Sequence, residues 1–271
     1  MRRGLVRGLL GLVVAGLTGC ATLVAPPAAP PASAAEATAA WARVLDRHVD
    51  ARGDVDFEAL AADRADLDRY VRHVADTAPL GIADPSERLA HLINAYNALS
   101  MFNVIDSGIP VTHAGLNKVR FFVLRRLTVG GQSMSLLRFE NDVIRPEARR
   151  LGEPRVHFAL NCSARSCPRL PRRPFSGAAL DAELARETTA FFARTEVFRI
   201  DHAERTVWLS ELLDFYPEDF VPDHGVSLLD YANRHAPQAA PLDYRVRFTP
   251  YDWTFLKIRR PPRATQAVSS A

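Results

Sequence analysis

The stretch Arg155 to Pro168, RVHFALNCSARSCP, brings His157, Cys162 and Cys167 close together along the chain. A thiolate is a strong nucleophile and a neighbouring imidazole can take its proton. Cys162 with His157 as base could therefore attack an acyl or amide carbonyl, broadly in the manner of papain or transglutaminase folds. Such a pair needs a third group to orient the ring, and Glu140 or Asp252 would serve. Glu140 has a second claim. It lies three or four residues from Leu136, Leu137, Val143 and Ile144, inside an apolar helical stripe where an ionised carboxylate is costly unless paired. Arg145 or His157 could pair with it. Burial would also raise its pKa, as a general acid or base requires, although a structural ion pair explains the same pattern. The two cysteines equally suit a disulfide closing a tight loop, which would leave no thiolate.

Other residue types point to binding. Asn94 and Asn97 stand one helical turn apart beside an apolar surface, where each amide must find partners. They either pin neighbouring loops to the backbone or meet a ligand. Arg165, Arg169, Arg172 and Arg173 crowd the loop after Cys162 and could face an acidic partner, or form an ordinary solvated surface. No glycine-rich phosphate loop, HExxH, paired CxxC or nucleophile-elbow serine occurs, so no cofactor is expected. The eight histidines are scattered, and His157 with both cysteines is one ligand short of a structural zinc site unless Glu140 joins, so no metal is expected.

The elements positioning these groups follow from periodicity. Val156, Phe158 and Leu160 alternate with His157, Ala159 and Asn161, which predicts a covered strand ending in a proline-rich loop. Asp84-Pro85-Ser86-Glu87 starts a long central helix over about 85–107, ended by Gly108 and Pro110. Trp41 to Val49 reads as a docking helix stopped near Gly53. A second helix carries Leu60, Leu67, Tyr70, Val71 and Val74 on one face. Phe121–Val129 and Gln132–Met134 form a hairpin on Gly130-Gly131, and Ser135 caps a helix ending at Arg145-Pro146. After a helix around Leu180–Phe191 comes a second hairpin, Val197–Ile200 with Thr206–Leu209. The whole predicts an α+β fold, a single domain with a mostly antiparallel sheet packed against several helices.

The ends carry addresses rather than fold. Arg2, Arg3 and Arg7 precede the apolar run Leu9–Leu17, and Leu17-Thr18-Gly19-Cys20 follows. This is the form of a secretory signal with a lipobox, too short to span a bilayer as a mature helix. It predicts cleavage after residue 19, a lipid on Cys20, and a protein exported and anchored in the bacterial cell envelope, facing the periplasm from the outer membrane. Residues 20–40, rich in alanine and proline, read as a tether, 41–257 as the globular domain and 258–271 as a disordered tail. The formal charge of +3 equals the three arginines of the leader, so the mature chain is near neutral and no nucleic-acid partner is expected.

Several segments together resemble the DUF547 family: Val55-Asp56-Phe57, Ile93 to Ala98, Ser135 to Glu140 with Ile144-Arg145, and His157 through Cys162 to Cys167-Pro168. Ser210, Tyr216, Asp219-Phe220 and Tyr251-Asp252-Trp253 continue the series, so that the resemblance runs from about residue 41 to 257. The sequence departs from the family pattern at Leu92 and Phe215, where tryptophans are expected, at Asn141, where a histidine is usual, and at Lys257. Asn141 counts against any chemistry needing a histidine beside Glu140. The resemblance implies no particular activity. Two functions remain open: a membrane-anchored binding or scaffold module with an envelope protein or polymer as partner, which is favoured, and a thiol-dependent enzyme using Cys162 and His157.

Overall fold

The computed structural model describes residues 21–221 and 227–255. Cys20, the leader and the C-terminal tail lie outside these residues. The centre is helix α4, Pro85–Asp106. Asp84 caps it by accepting from the Glu87 amide at 2.7 Å, with proline in the first turn. Leu89, Leu92, Ile93, Tyr96, Leu99 and Phe102 are all buried, and so are Asn94, Asn97 and Ser100 between them. A helix covered all round must be enclosed by other elements.

Preceding it are α1 (Ala34–His48), α2 (Phe57–Ala62) and α3 (Ala65–Asp76). The single second helix expected from sequence is two. The chain leaves helical geometry at Asp63, whose amide bonds both Ala59 and Leu60 carbonyls at 3.1 and 3.2 Å. Trp41 of α1 stacks on Tyr70 of α3 at 5.4 Å, and together they cover one side of α4. The alanine- and proline-rich stretch does not behave as a free tether. Ser33 and Glu36 close a capping box that starts α1 at Ala34, and Ala37 and Ala40 are buried in the core. Before them, β1 (Thr22–Leu23) pairs with the body.

On the far side, α5 (Leu116–Val119) runs through a π turn, Arg120–Leu124, into β2 (Arg125–Val129). That strand is paired antiparallel with β3 (Gln132–Met134) across Gly130-Gly131, both at positive φ as this turn requires. Then α6 (Leu136–Arg138), a π stretch Phe139–Ile144 and α7 (Arg145–Arg150) form one continuous helical run. It was expected to stop at Pro146. Instead the Arg145 amide reaches back to the Glu140 carbonyl, and in that widened turn a proline without an N–H is accommodated.

The expected strand at 156–160 is a 3-10 turn, Pro154–Phe158. Pro154 sets helical φ at its start, and Val156, His157 and Phe158 are all buried rather than alternating. A short apolar run has no periodicity that separates a buried strand from a buried turn. Helix α8 (Leu180–Phe192) then leads to β4 (Phe198–Asp201) and β5 (Thr206–Ser210), followed by α9 (Leu212–Phe215), α10 (Pro217–Phe220), α11 (Leu228–Asn233) and β6 (Arg245–Thr249).

The fold is α+β. Its two three-stranded sheets, β1-β2-β3 and β4-β5-β6, are each half parallel, not mostly antiparallel. The hairpins fix the antiparallel pairs, whereas β1 and β6 arrive after long connections whose direction no turn dictates.

Candidate functional site

The cluster that gathers the most chemistry is built from α4, the π stretch, the 3-10 turn and α10. Glu140, half-buried on the π stretch, accepts from the Tyr96 hydroxyl of α4 at 3.1 Å and from the Tyr216 hydroxyl. Burial raises its carboxyl above the ordinary 4.5, against the pull of His157, both tyrosines and Arg145. The tyrosine hydroxyls are pushed up in turn, by burial first and then by the Glu140 charge.

His157 does not face a thiol. Its Nε2 lies 2.8 Å from Asp219 Oδ2, and its ring stacks on Tyr216 at 5.0 Å and tilts against Phe220 at 5.1 Å. Asp219 also accepts from Arg145 Nε at 2.6 Å and from Arg149. Burial alone would raise its carboxyl, but hydrogen bonds from His157, Arg145 and Arg149 hold it far below the usual range. Arg145 lies over the Tyr216 ring at 3.9 Å and reaches Asn141 Oδ1 at 2.8 Å and Glu218 at 2.7 Å. Asn141 thus serves as an acceptor for this arginine. Pro217 restarts the helix after the non-helical Tyr216, which turns Tyr216, Asp219 and Phe220 together onto His157.

Cys162 and Cys167 are joined in a disulfide, so neither presents a thiolate and the proposed nucleophile is lost. The bridge is buried. Cys167 Sγ accepts from the Cys162 amide and from the Tyr251 hydroxyl, both at 3.1 Å. Asn161 clamps the loop, accepting from the Ser163 amide at 2.8 Å and donating to the Pro168 carbonyl at 2.6 Å. The histidine beside Cys162 is His113, buried and lowered by that burial to about 4. Asp252, the alternative orienting group, is taken up by Thr254 at 2.9 and 2.7 Å. Tyr251 touches the disulfide on one side and feels the Glu140 charge on the other, so the two centres adjoin without forming a thiol site.

The candidate binding residues are largely consumed internally. Asn94 accepts from Trp41 Nε1 at 3.2 Å and the Phe175 amide at 2.9 Å, and donates to the Phe175 carbonyl at 2.7 Å. Asn97 donates to the Ala159 carbonyl at 2.9 Å and accepts from the Asn161 amide at 2.8 Å. Both hold loops to α4 and neither is open to a ligand. Arg169 pairs with the buried Glu187 at 2.7 Å, and Arg172 with Asp46 at 2.6 Å. Arg165 is exposed, 3.9 Å from Asp252. The arginine run is therefore not a single free basic patch.

Tyr96 and Asp219 had no assigned chemical role in the sequence, because their partners lie 44 and 62 residues away. A cleft of about 860 Å³ lined by α1 alanines, Arg172, Arg173 and Phe175 touches none of the Glu140 cluster. Among the described residues no three His, Cys, Asp or Glu side chains are grouped to hold a metal ion. No described helix is long and apolar enough to cross a membrane.

Neither a curated protein nor a solved structure matches the chain. A family model does match, over residues 82–192, described as "Protein of unknown function, DUF547". The matched stretch holds Asn94, Tyr96, Asn97, Glu140, Arg145, His157 and both bridged cysteines, while Tyr216, Asp219 and Tyr251 fall beyond it. That segment, which supplies α4 and the floor of the Glu140 cluster, is what the chain shares with the DUF547 family model.

Proposed function

We propose that this protein is an exported cell-envelope module, held at the membrane by a lipid on Cys20, that binds an envelope polymer at the Glu140 cluster. The observation carrying this choice over thiol chemistry is the joined pair Cys162–Cys167, since an acyl-transfer nucleophile must be a free thiolate. A disulfide also suits the oxidising compartment to which the leader directs the chain. Glu140 is partly exposed, with the Tyr96 and Tyr216 hydroxyls on it. Together they can accept from and donate to the hydroxyls or amines of a polymer. Phe215, Tyr251 and Trp253 pack in a contiguous aromatic group beside them, and such faces suit the apolar side of a sugar or peptide.

The experiment is co-sedimentation of the protein with isolated cell-wall polymer. Wild type is expected to pellet with the polymer and Glu140→Gln to lose at least tenfold in affinity. Equal retention of the two proteins overturns the site. Soluble fragments released by wild type and not by Glu140→Gln would replace binding with hydrolysis. In cells, Cys20→Ser is expected to shift the protein out of the membrane fraction, and unchanged fractionation removes the anchor.

A further inference from the structure

The least covered part of the described body is the segment between α4 and β2. Residues 114–120 are all exposed, and Leu116 is 87% accessible, Val119 36% and Val123 43%. Exposed leucines and valines are ordinary when scattered. These are not scattered, because spacings of three and four place them on one face of the helical stretch Leu116–Leu124. The opposite face carries Phe121 and Phe122, both buried, and Asn103 Nδ2 bolts the Phe121 carbonyl to α4 at 3.1 Å. The segment is thus amphipathic, with its inner face docked and its outer face uncovered among the described residues.

Two further observations say what covers it. Charge along this part of the chain has one sign. From Ser107 to Phe139 there is no acidic residue, whereas Lys118, Arg120, Arg125, Arg126 and Arg138 all fall there. Arg125 is committed to Asp106 and Arg138 to Asp142, and Lys118 lies over the Trp253 ring at 3.7 Å, which leaves exposed Arg120, and Arg126 on Ser133, beside the apolar stripe. The second is the route of the N-terminus. β1 runs parallel to β2, Thr22 opposite Arg125 and Leu23 opposite Arg126. The N-terminal end of β1 therefore lies at the N-terminal end of β2, the end that Val123 and Leu124 of the stripe lead into. Cys20 is two residues from Thr22, a span of at most about 7 Å. Leu23 is itself 67% exposed.

We propose that Leu23, Leu116, Val119 and Val123, with Arg120 and Arg126, form a docking face that seats the folded body directly on an anionic lipid bilayer. This rests on the anchor reading above for its biological setting. Apolar side chains enter the acyl boundary while guanidinium groups meet lipid phosphates, the usual division for an interfacial helix. The body then lies on the membrane instead of hanging from a tether.

The test uses a chain of residues 20–271 carrying Cys20→Ser; the buried core of the described residues begins at Val24, so this chain keeps the folded body without any lipid. It is floated with phosphatidylglycerol/phosphatidylethanolamine vesicles and with phosphatidylcholine vesicles. Binding is expected to the anionic vesicles, to fall at least tenfold in Leu116→Asp/Val123→Asp and severalfold in Arg120→Glu, and to weaken with salt. Leu80→Asp is the control. Leu80 is equally exposed but sits near Gly130, at the other end of β2, and is expected to leave binding unchanged. Each variant is checked for an unaltered thermal midpoint. Absence of binding to anionic vesicles, or binding untouched by the stripe variants, overturns the proposal. A dimer that Leu116→Asp dissolves would assign the face to a second copy and overturn it equally. Failed flotation together with a fractionation shift for Cys20→Ser in cells would remove the docking face and leave the anchor standing.

Discussion

Glu140 and Asp219 flank one stack of Tyr216 and His157, yet their surroundings push them in opposite directions. Asp219 is ringed by donors, so its folded-state pKa lies below the ordinary 3.8. Its stabilising contribution is complete above that value and is lost only as pH falls through the folded pKa. Asp219→Asn removes the buried carboxylate that pairs with Arg145, leaving it only the exposed Glu218, and weakens the acceptor facing His157, and is expected to cost about 3 kcal/mol near neutrality. In urea titrations the gap from wild type should close only in strong acid. A gap that does not vary with pH would show that the carboxylate charge is not what the cluster uses. For Glu140 the sign reverses. Its folded pKa is raised above 4.5, so the folded protein holds a proton that the unfolded chain has released, and stability declines as pH rises from about that value. Glu140→Gln is expected to flatten this decline, and its urea midpoint should gain on wild type as pH rises above the ordinary carboxyl value of 4.5.

The elements explain why these side chains meet. The π stretch Phe139–Ile144 carries Glu140, and its widened turn leads directly into Pro146 and α7, from which Arg145 reaches Asp219. Such turns recur at functional sites because they re-aim side chains within a helix. The loop after the 3-10 turn is held by Asn97 and Asn161, and then by the disulfide across a sequence separation of 5. Closing so short a loop is worth about 2 kcal/mol in the chain-entropy account. Cys162→Ala/Cys167→Ala is therefore expected to lower stability by about that amount. Protein from an oxidising compartment, with Cys20→Ser, should give no thiol signal with Ellman's reagent when denatured. Two titrating thiols would return the pair to the thiol chemistry set aside above.

At the scale of the molecule, the family segment is not a structural unit. The core runs from Val24 to Tyr251 among the described residues, and α4 is covered on one side by α2 and α3, which precede residue 82. Phe158 stacks on Phe191 at 4.9 Å but also on Phe220 at 5.6 Å, beyond residue 192. Residues 82–192 expressed alone are expected to lose cooperative thermal unfolding and to be degraded rapidly by protease, while the mature chain resists. Cooperative melting of the fragment would mean that the flanking helices and the second sheet decorate an independent domain.

The sequence by itself determined the α+β class, the capped central helix, the turns of both hairpins and the position of Glu140 within an apolar stripe, whereas Phe121 to Leu124, expected in the first strand, are a π turn. These follow from local patterns: periodicity, caps and paired glycines act over a few residues. It also led to the family through the residues around Asn94, Glu140 and His157. Only the tertiary structure decided that His157 turns to Asp219 rather than Cys162, that Tyr96 and Tyr216 converge on Glu140, and that Asn94 and Asn97 are spent on backbone. These are pairings between positions tens of residues apart, for which a sequence offers residue types but no geometry. The mixed strand directions and the 3-10 turn in place of a strand belong with them, because long connections and short buried apolar runs take their conformation from what packs against them.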